Sequence, residues 1–138
     1  MLKPLRQPLF WLISFLIWFG VLWILSSRSN PTSDLPEIPN LDKFLHFGYF
    51  FGGGGLLSAY LFCRNPDRPN WLRILLITAV VIGLVGILDE IHQTYTPNRS
   101  GNDPLDWLAD ILGAISGSLV FRRYHRVLKT EQPASFPG

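Results

Sequence analysis

Four apolar runs, residues 9–25, 44–62, 74–88 and 105–121, limit what this chain can become. A helix needs about 17–25 residues to cross the hydrocarbon of a bilayer, and each run is about that long with its flanks included. The third is the shortest. It extends back through Leu72 and Arg73, whose charged tip can reach the interface while its stem stays in apolar surroundings. A soluble bundle would show a polar face on every helix. The run 9–25 has Ser14 as its only polar side chain, and charged residues make up just 16% of the chain against 48% hydrophobic. The expected fold class is an all-α membrane protein with four transmembrane helices.

Lys3 and Arg6 precede the first run, as in a secretory signal. The run exceeds a signal core of about 7–15 residues and no clear A-x-A site follows, so an uncleaved helix is expected. Trp11 and Trp23 lie near its ends, where indole rings settle at head-group level. Pro31, Pro36 and Pro39 forbid a continuous helix through 26–40, which reads as an extended loop over the membrane surface. Cys63 stands alone and cannot form an internal disulfide. The basic residues lack interleaved stacking groups, so nucleic acid is not an expected partner.

Glycines mark close helix contacts. Gly48 and Gly52 form one G-x-x-x-G pair, Gly113 and Gly117 another, and four consecutive glycines occupy 52–55. Packing is the simpler reading of this run; a local helix break beside a ligand is the other.

Four spans leave Lys3, Arg6, Arg64, Arg68, Arg73, Arg122, Arg123, Arg126 and Lys129 on one side and Arg28, Lys43 and Arg99 on the other. The excess of Lys and Arg in cytoplasmic segments then predicts that both termini are cytoplasmic, in a multi-pass protein of the plasma membrane. The membrane domain is expected to cover 1–125, with 126–138 a disordered cytoplasmic tail.

This topology brings three polar segments to the outer face. Asp42, Lys43 and His46 open the second helix, and Asp42 and His46 share a face at i and i+4. Asp89, His92 and Gln93 close the third at i, i+3 and i+4, with Glu90 rotated toward a neighbour. Pro97-Asn98-Arg99 reads as a turn. Pro104 opens the fourth helix with Asp103 as its cap candidate, and Asp106 and Asp110 follow at i and i+4.

Several chemistries fit this set. The carboxylates could pair with Lys43 and Arg99 simply to hold helix register. His46, Asp89, Glu90, His92 and Asp106 are the candidate catalytic groups, because histidines and carboxylates can exchange protons with a substrate. Asp42, Lys43, Gln93, Arg99 and Asp110 are the candidate substrate-binding groups, with Lys43 and Arg99 supplying positive charge for a phosphate or carboxylate. A divalent-metal-dependent enzyme is a further alternative, using His46, His92, Glu90 and an Asp. No dedicated metal spacing such as H-E-x-x-H is present, so no metal and no other cofactor is expected. Acids at or inside a membrane edge cost free energy, which favours a use for them beyond register.

The ordered motifs Asp42-Lys43-Phe44-Leu45-His46, Asp89-Glu90-Ile91-His92-Gln93, Pro97-Asn98-Arg99 and Asp106-Trp107-Leu108-Ala109-Asp110-Ile111-Leu112-Gly113 resemble the VanZ-like family of small bacterial membrane proteins. The resemblance covers roughly 9–121. Asp110 stands where many relatives carry Asn, and Asn98 where Gly is commoner. The family takes its name from a protein associated with resistance to the glycopeptide teicoplanin. What it implies is a place in the cell envelope, and it implies no agreed reaction. The outer-interface position of the polar set, where lipid head groups and lipid-linked wall precursors lie, makes membrane lipids and a lipid-linked envelope precursor the expected partners.

Overall fold

The structure is a computed structural model that describes residues 4–29, 39–99 and 101–128. Among these residues the elements are α1 (Pro8–Ser26), α2 (Leu41–Cys63), α3 (Trp71–Thr94) and α4 (Pro104–Tyr124), with 3-10 turns at Pro4–Arg6 and His125–Leu128 and no strand. The expected extended loop lies largely outside the described residues, Pro31 and Pro36 included. The closing turn reaches Leu128, and the rest of the expected tail lies outside the described residues.

Local chemistry sets the helix ends. Pro8 and Pro104 occupy first-turn positions, where a missing N–H costs nothing. Asn70 caps α3 by accepting from the Arg73 N–H at 3.0 Å. Asp103 caps α4 by accepting from the Leu105 N–H at 2.8 Å, as its position predicts. Asn40, Asn98 and Asn102 take positive φ of 58°, 60° and 67°, a region that Asn tolerates better than most residues. Asn98 can therefore serve as the turn residue in Pro97-Asn98-Arg99.

Side-chain contacts establish the bundle's direction. Ser27 after α1 meets His92 near the end of α3, and Lys43 at the start of α2 meets Asp106 at the start of α4. At the other end Phe62 of α2 stacks on Trp71 of α3 and packs edge-on against Phe121 of α4. The chain therefore runs up, down, up, down. One end gathers the acids; the other gathers Arg64, Arg68, Arg73, Arg122 and Arg123.

α1, α3 and the stretch Pro104–Leu128 are long and apolar enough to cross a membrane. α2 is long enough but less apolar, because Asp42, Lys43, His46 and its glycines dilute the run. Its place explains why it can be so: α2 packs against all three other helices, most extensively against α4. A helix enclosed by its neighbours exposes less surface and has less need of apolar side chains on its outside.

The α2–α4 contact is a backbone contact. A Cβ built on Gly113 would collide with the Phe47 carbonyl, one on Gly117 with the Phe51 carbonyl, and one on Gly54 with Ala114. The Gly113 and Gly117 pair thus packs as its spacing predicts. The Gly48 and Gly52 pair does not: nothing lies within 4 Å of a Cβ at either position. The close-packing glycines of α2 are instead Gly53, under the Trp18 ring of α1, and Gly54. Spacing alone could not choose among adjacent glycines 100° apart on a helix. The helix continues unbroken through all four, which removes the reading of a local break.

Polar bonds reinforce these contacts in the apolar interior. Trp18 Nε1–H donates to the Tyr49 carbonyl at 3.1 Å, and Tyr49 O–H donates back to the Trp18 carbonyl at 2.7 Å. Ser58 of α2 bonds Ser118 of α4 at 2.8 Å and Thr78 of α3 at 3.1 Å, all three fully or almost fully buried. Lipid tails are as apolar as leucine, so such close packing and bonding, rather than escape from water, hold membrane helices together.

Two alanine substitutions should therefore behave oppositely. Gly117→Ala should destabilise the protein in detergent by about 1–3 kcal/mol, the usual cost of forcing a methyl into a packed contact. Gly52→Ala should be neutral or stabilising, since the site is open and Ala favours a helix over Gly by about 1 kcal/mol. Thermal denaturation of both variants checks this; equal effects would mean that α2 and α4 do not meet backbone to backbone.

Candidate functional site

At the acid-rich end, two rungs one helical turn apart join α2 to α4. Lys43 Nζ donates to Asp106 Oδ1 at 3.1 Å, and also to Asp42 Oδ2 and Asp103 Oδ2 at 2.9 Å each. One turn deeper, His46 Nδ1 lies 2.9 Å from Asp110 Oδ1, with Asp110 wholly buried. The rungs follow from spacing: 43 to 46 and 106 to 110 each advance about one turn along parallel neighbours. Gly86 of α3 makes room for the deeper rung, since a Cβ there would stand 2.6 Å from Asp110 Oδ2.

α3 supplies the third side. Gln93 Nε2 donates to Asp89 Oδ2 at 2.7 Å, joining residues expected to share a face. Glu90 does turn to a neighbour: its Oε2 accepts the Asp103 N–H at 2.7 Å, tying the end of α3 to the start of α4. A ring nitrogen of His46 and carboxylate oxygens of Asp89 and Glu90 lie within 4.8 Å of one another. Asp89 Oδ1, Glu90 Oε1 and Asp110 Oδ2 are buried and have no hydrogen-bond partner among the described residues.

Of the ten sequence-predicted residues, this arrangement joins Asp42, Lys43, His46, Asp89, Glu90, Gln93, Asp106 and Asp110. His92 is not among them. Its Nε2 lies 2.9 Å from Ser27 Oγ and its ring centroid 4.0 Å from that of Trp23, so it faces α1. The reason is angular. At 100° per residue, Glu90 and Gln93 lie to one side of Asp89 around the helix and His92 to the other. An i, i+3 spacing brought His92 near the face without putting it on the right flank.

Arg99 sits in the loop between α3 and α4, half-buried, with no partner for its Nε. Among the described residues it forms no ion pair. Of the two cations expected to pair with the carboxylates, it is Lys43 that reaches Asp106.

Asp103 is the residue that sequence reasoning under-used. It caps α4 as expected and also pairs with Lys43 across 60 positions. The available signal was its place three residues before Asp106, the same helix-start region that Lys43 meets. The Lys43 hydrogen bond, followed by that from the Leu105 N–H, holds the Asp103 carboxyl below its ordinary value of 3.8.

The sign of the resulting pH dependence follows. A depressed carboxyl stabilises the fold fully above 3.8, and that contribution fades as pH falls through the lower folded value. Asp103→Asn keeps a competent helix cap and removes only the ion pair. Melting temperatures of wild type and Asp103→Asn in detergent should differ at neutral pH and converge below Asp103's own folded value. A gap that persists at acid pH would assign the loss to capping instead.

Chemically the site offers a histidine oriented by one carboxylate, two further buried carboxylates with free oxygens, and a guanidinium in the adjoining loop. It can hold or move protons and can hold a cation. No curated protein and no solved structure matches the chain. The family model described as VanZ/LLP1 matches residues 6–128, which contain every helix and every residue of the site. With three helices able to cross a membrane and this match over most of its length, the chain belongs to the VanZ/LLP1 family of membrane proteins.

Proposed function

We propose that the protein is a multi-pass protein of the bacterial plasma membrane in which all four helices cross and both termini are cytoplasmic. Its acid-rich end faces outward and binds or acts on an anionic head group of a lipid or lipid-linked envelope precursor. The orientation rests on the Arg-rich opposite end, since Lys and Arg favour the cytoplasmic side. α2 is taken to cross because it runs the length of its neighbours, roughly 35 Å at 1.5 Å per residue.

The observation that carries the head-group reading is Arg99. Lys43 is engaged by three carboxylates, whereas Arg99 is a half-buried guanidinium whose Nε has no partner among the described residues. A guanidinium can grip a phosphate or carboxylate through two parallel bonds. If turnover occurs, the buried cluster of His46, Asp89 and Glu90 would lie at its centre. Family likeness supports the cell envelope as the setting and makes teicoplanin susceptibility a reasonable cellular readout. A structural role is the second reading, favoured by the two rungs that hold α2 to α4.

Orientation is checked by labelling with a membrane-impermeant maleimide in a Cys63→Ala background. Tyr95→Cys, at a residue 83% exposed at the acid-rich end, should react in intact cells. Arg68→Cys should react only after permeabilisation. The reverse pattern would turn the protein over and move the site to the cytoplasm.

Arg99→Lys separates recognition from scaffolding, because it keeps the charge and loses the planar fork. The variant should fold and melt like wild type yet retain at least about ten-fold less lipid phosphate, a loss of about 1.4 kcal/mol. Native mass spectrometry with added isoprenoid phosphates reads this directly. Equal retention by both proteins, or by neither, would leave the structural role as the better account.

A further inference from the structure

The buried acids at this end form two groups with different fates. Asp42, Asp103 and Asp106 surround Lys43 Nζ, so that group already has its cation. His46, Asp89 and Glu90 have none: among the described residues no lysine or arginine pairs with Asp89 or Glu90. We propose that His46, Asp89 and Glu90 bind one divalent transition-metal ion.

Four features beyond the grouping of acids point to a ligand. Asp89 and Glu90 are 2% and 5% exposed, and each keeps one oxygen buried without a partner. Their other oxygens are occupied, Asp89 Oδ2 by Gln93 and Glu90 Oε2 by the Asp103 N–H. That pattern fixes each carboxylate while leaving a single lone-pair edge for something else. His46 is fixed in the same way, because Asp110 Oδ1 takes Nδ1 and leaves Nε2 as the coordinating atom. A carboxylate behind a histidine, setting its tautomer and raising its basicity, is the usual outer support of a metal-bound imidazole.

The donor set selects the ion. One imidazole and two carboxylates suit Zn²⁺ or Mn²⁺, and the absence of thiolate argues against softer ions. Ligands at about 2.0–2.2 Å from an ion stand about 3.3–3.6 Å apart in a tetrahedron and at most about 4.4 Å apart when opposite. The present 4.8 Å envelope therefore needs only a small inward rotation of side chains. Three protein ligands leave open positions, the arrangement of a site that exchanges water for an oxygen of a bound molecule. The inference stands independently of the head-group reading, since it concerns the ion alone.

The test uses the full chain in detergent, stripped with chelator and free of added lipid. Equilibrium dialysis against Mn²⁺ should load about one ion per chain. Glu90→Gln and Asp89→Asn should each weaken binding by at least about ten-fold. Asp67→Asn, an exposed acid at the opposite end, should bind like wild type. Pulsed EPR of the Mn²⁺-loaded wild type should show nitrogen coupling from His46, a readout that needs no variant to fold. Absence of stoichiometric binding, Mn²⁺ without nitrogen coupling, or unchanged affinity in a folded Glu90→Gln protein would each overturn the proposal. Loss of lipid retention in Arg99→Lys with metal binding intact leaves this site standing and bears only on the head group.

Discussion

The approach of α2 to α4 without intervening side chains is the contact on which the rest of the molecule depends. Glycines at 54, 113 and 117 let the two backbones meet. Only because they meet can Lys43 reach Asp106 and Asp103, and His46 reach Asp110. A larger residue in the seam would separate the rungs as well as the helices. Close packing and polar chemistry are thus one device here, and the serine–threonine bonds of Ser58 extend it to α3.

Electrostatic economy divides the site into a settled part and an unsettled part. Lys43 compensates three carboxylates near the helix ends, where water lowers the cost of charge. Deeper, Asp89, Glu90 and Asp110 each retain a buried oxygen with no partner. An unpaired buried acceptor costs about 1–3 kcal/mol, more when charged. A bundle needing only register could place leucine or serine there. A ligand, ion or proton that completes these oxygens offsets the cost, which the paired charges near the helix ends do not require.

His46 and His92 show how far periodicity reaches. Both are one-turn neighbours of an aspartate, and both looked equally suited to proton transfer. His46 faces Asp110 on another helix, whereas His92 packs under Trp23 and beside Ser27. An i, i+3 or i, i+4 spacing narrows direction to a half-turn of the helix, and the site is narrower than that. Asp110 has a related lesson. Its partner is Nδ1 of His46, and a proton there could be accepted by an amide oxygen as well as by a carboxylate.

The amino-acid sequence by itself determined the helices, their order and the gathering of acidic ends, because run length, proline positions and alternating direction are local or topological facts. Asp103 at the cap of α4, the turn residue Asn98 and the packing pair Gly113 and Gly117 were legible for the same reason. Only the tertiary structure decided that Gly53 and Gly54, not Gly48 and Gly52, meet neighbouring helices, that Lys43 serves three acids while Arg99 serves none among the described residues, and that His46 but not His92 joins Asp89 and Glu90. Each of these depends on the rotation of one helix about its axis relative to another. That rotation is set by the sum of packing contacts along the whole bundle, and no short stretch of sequence contains it.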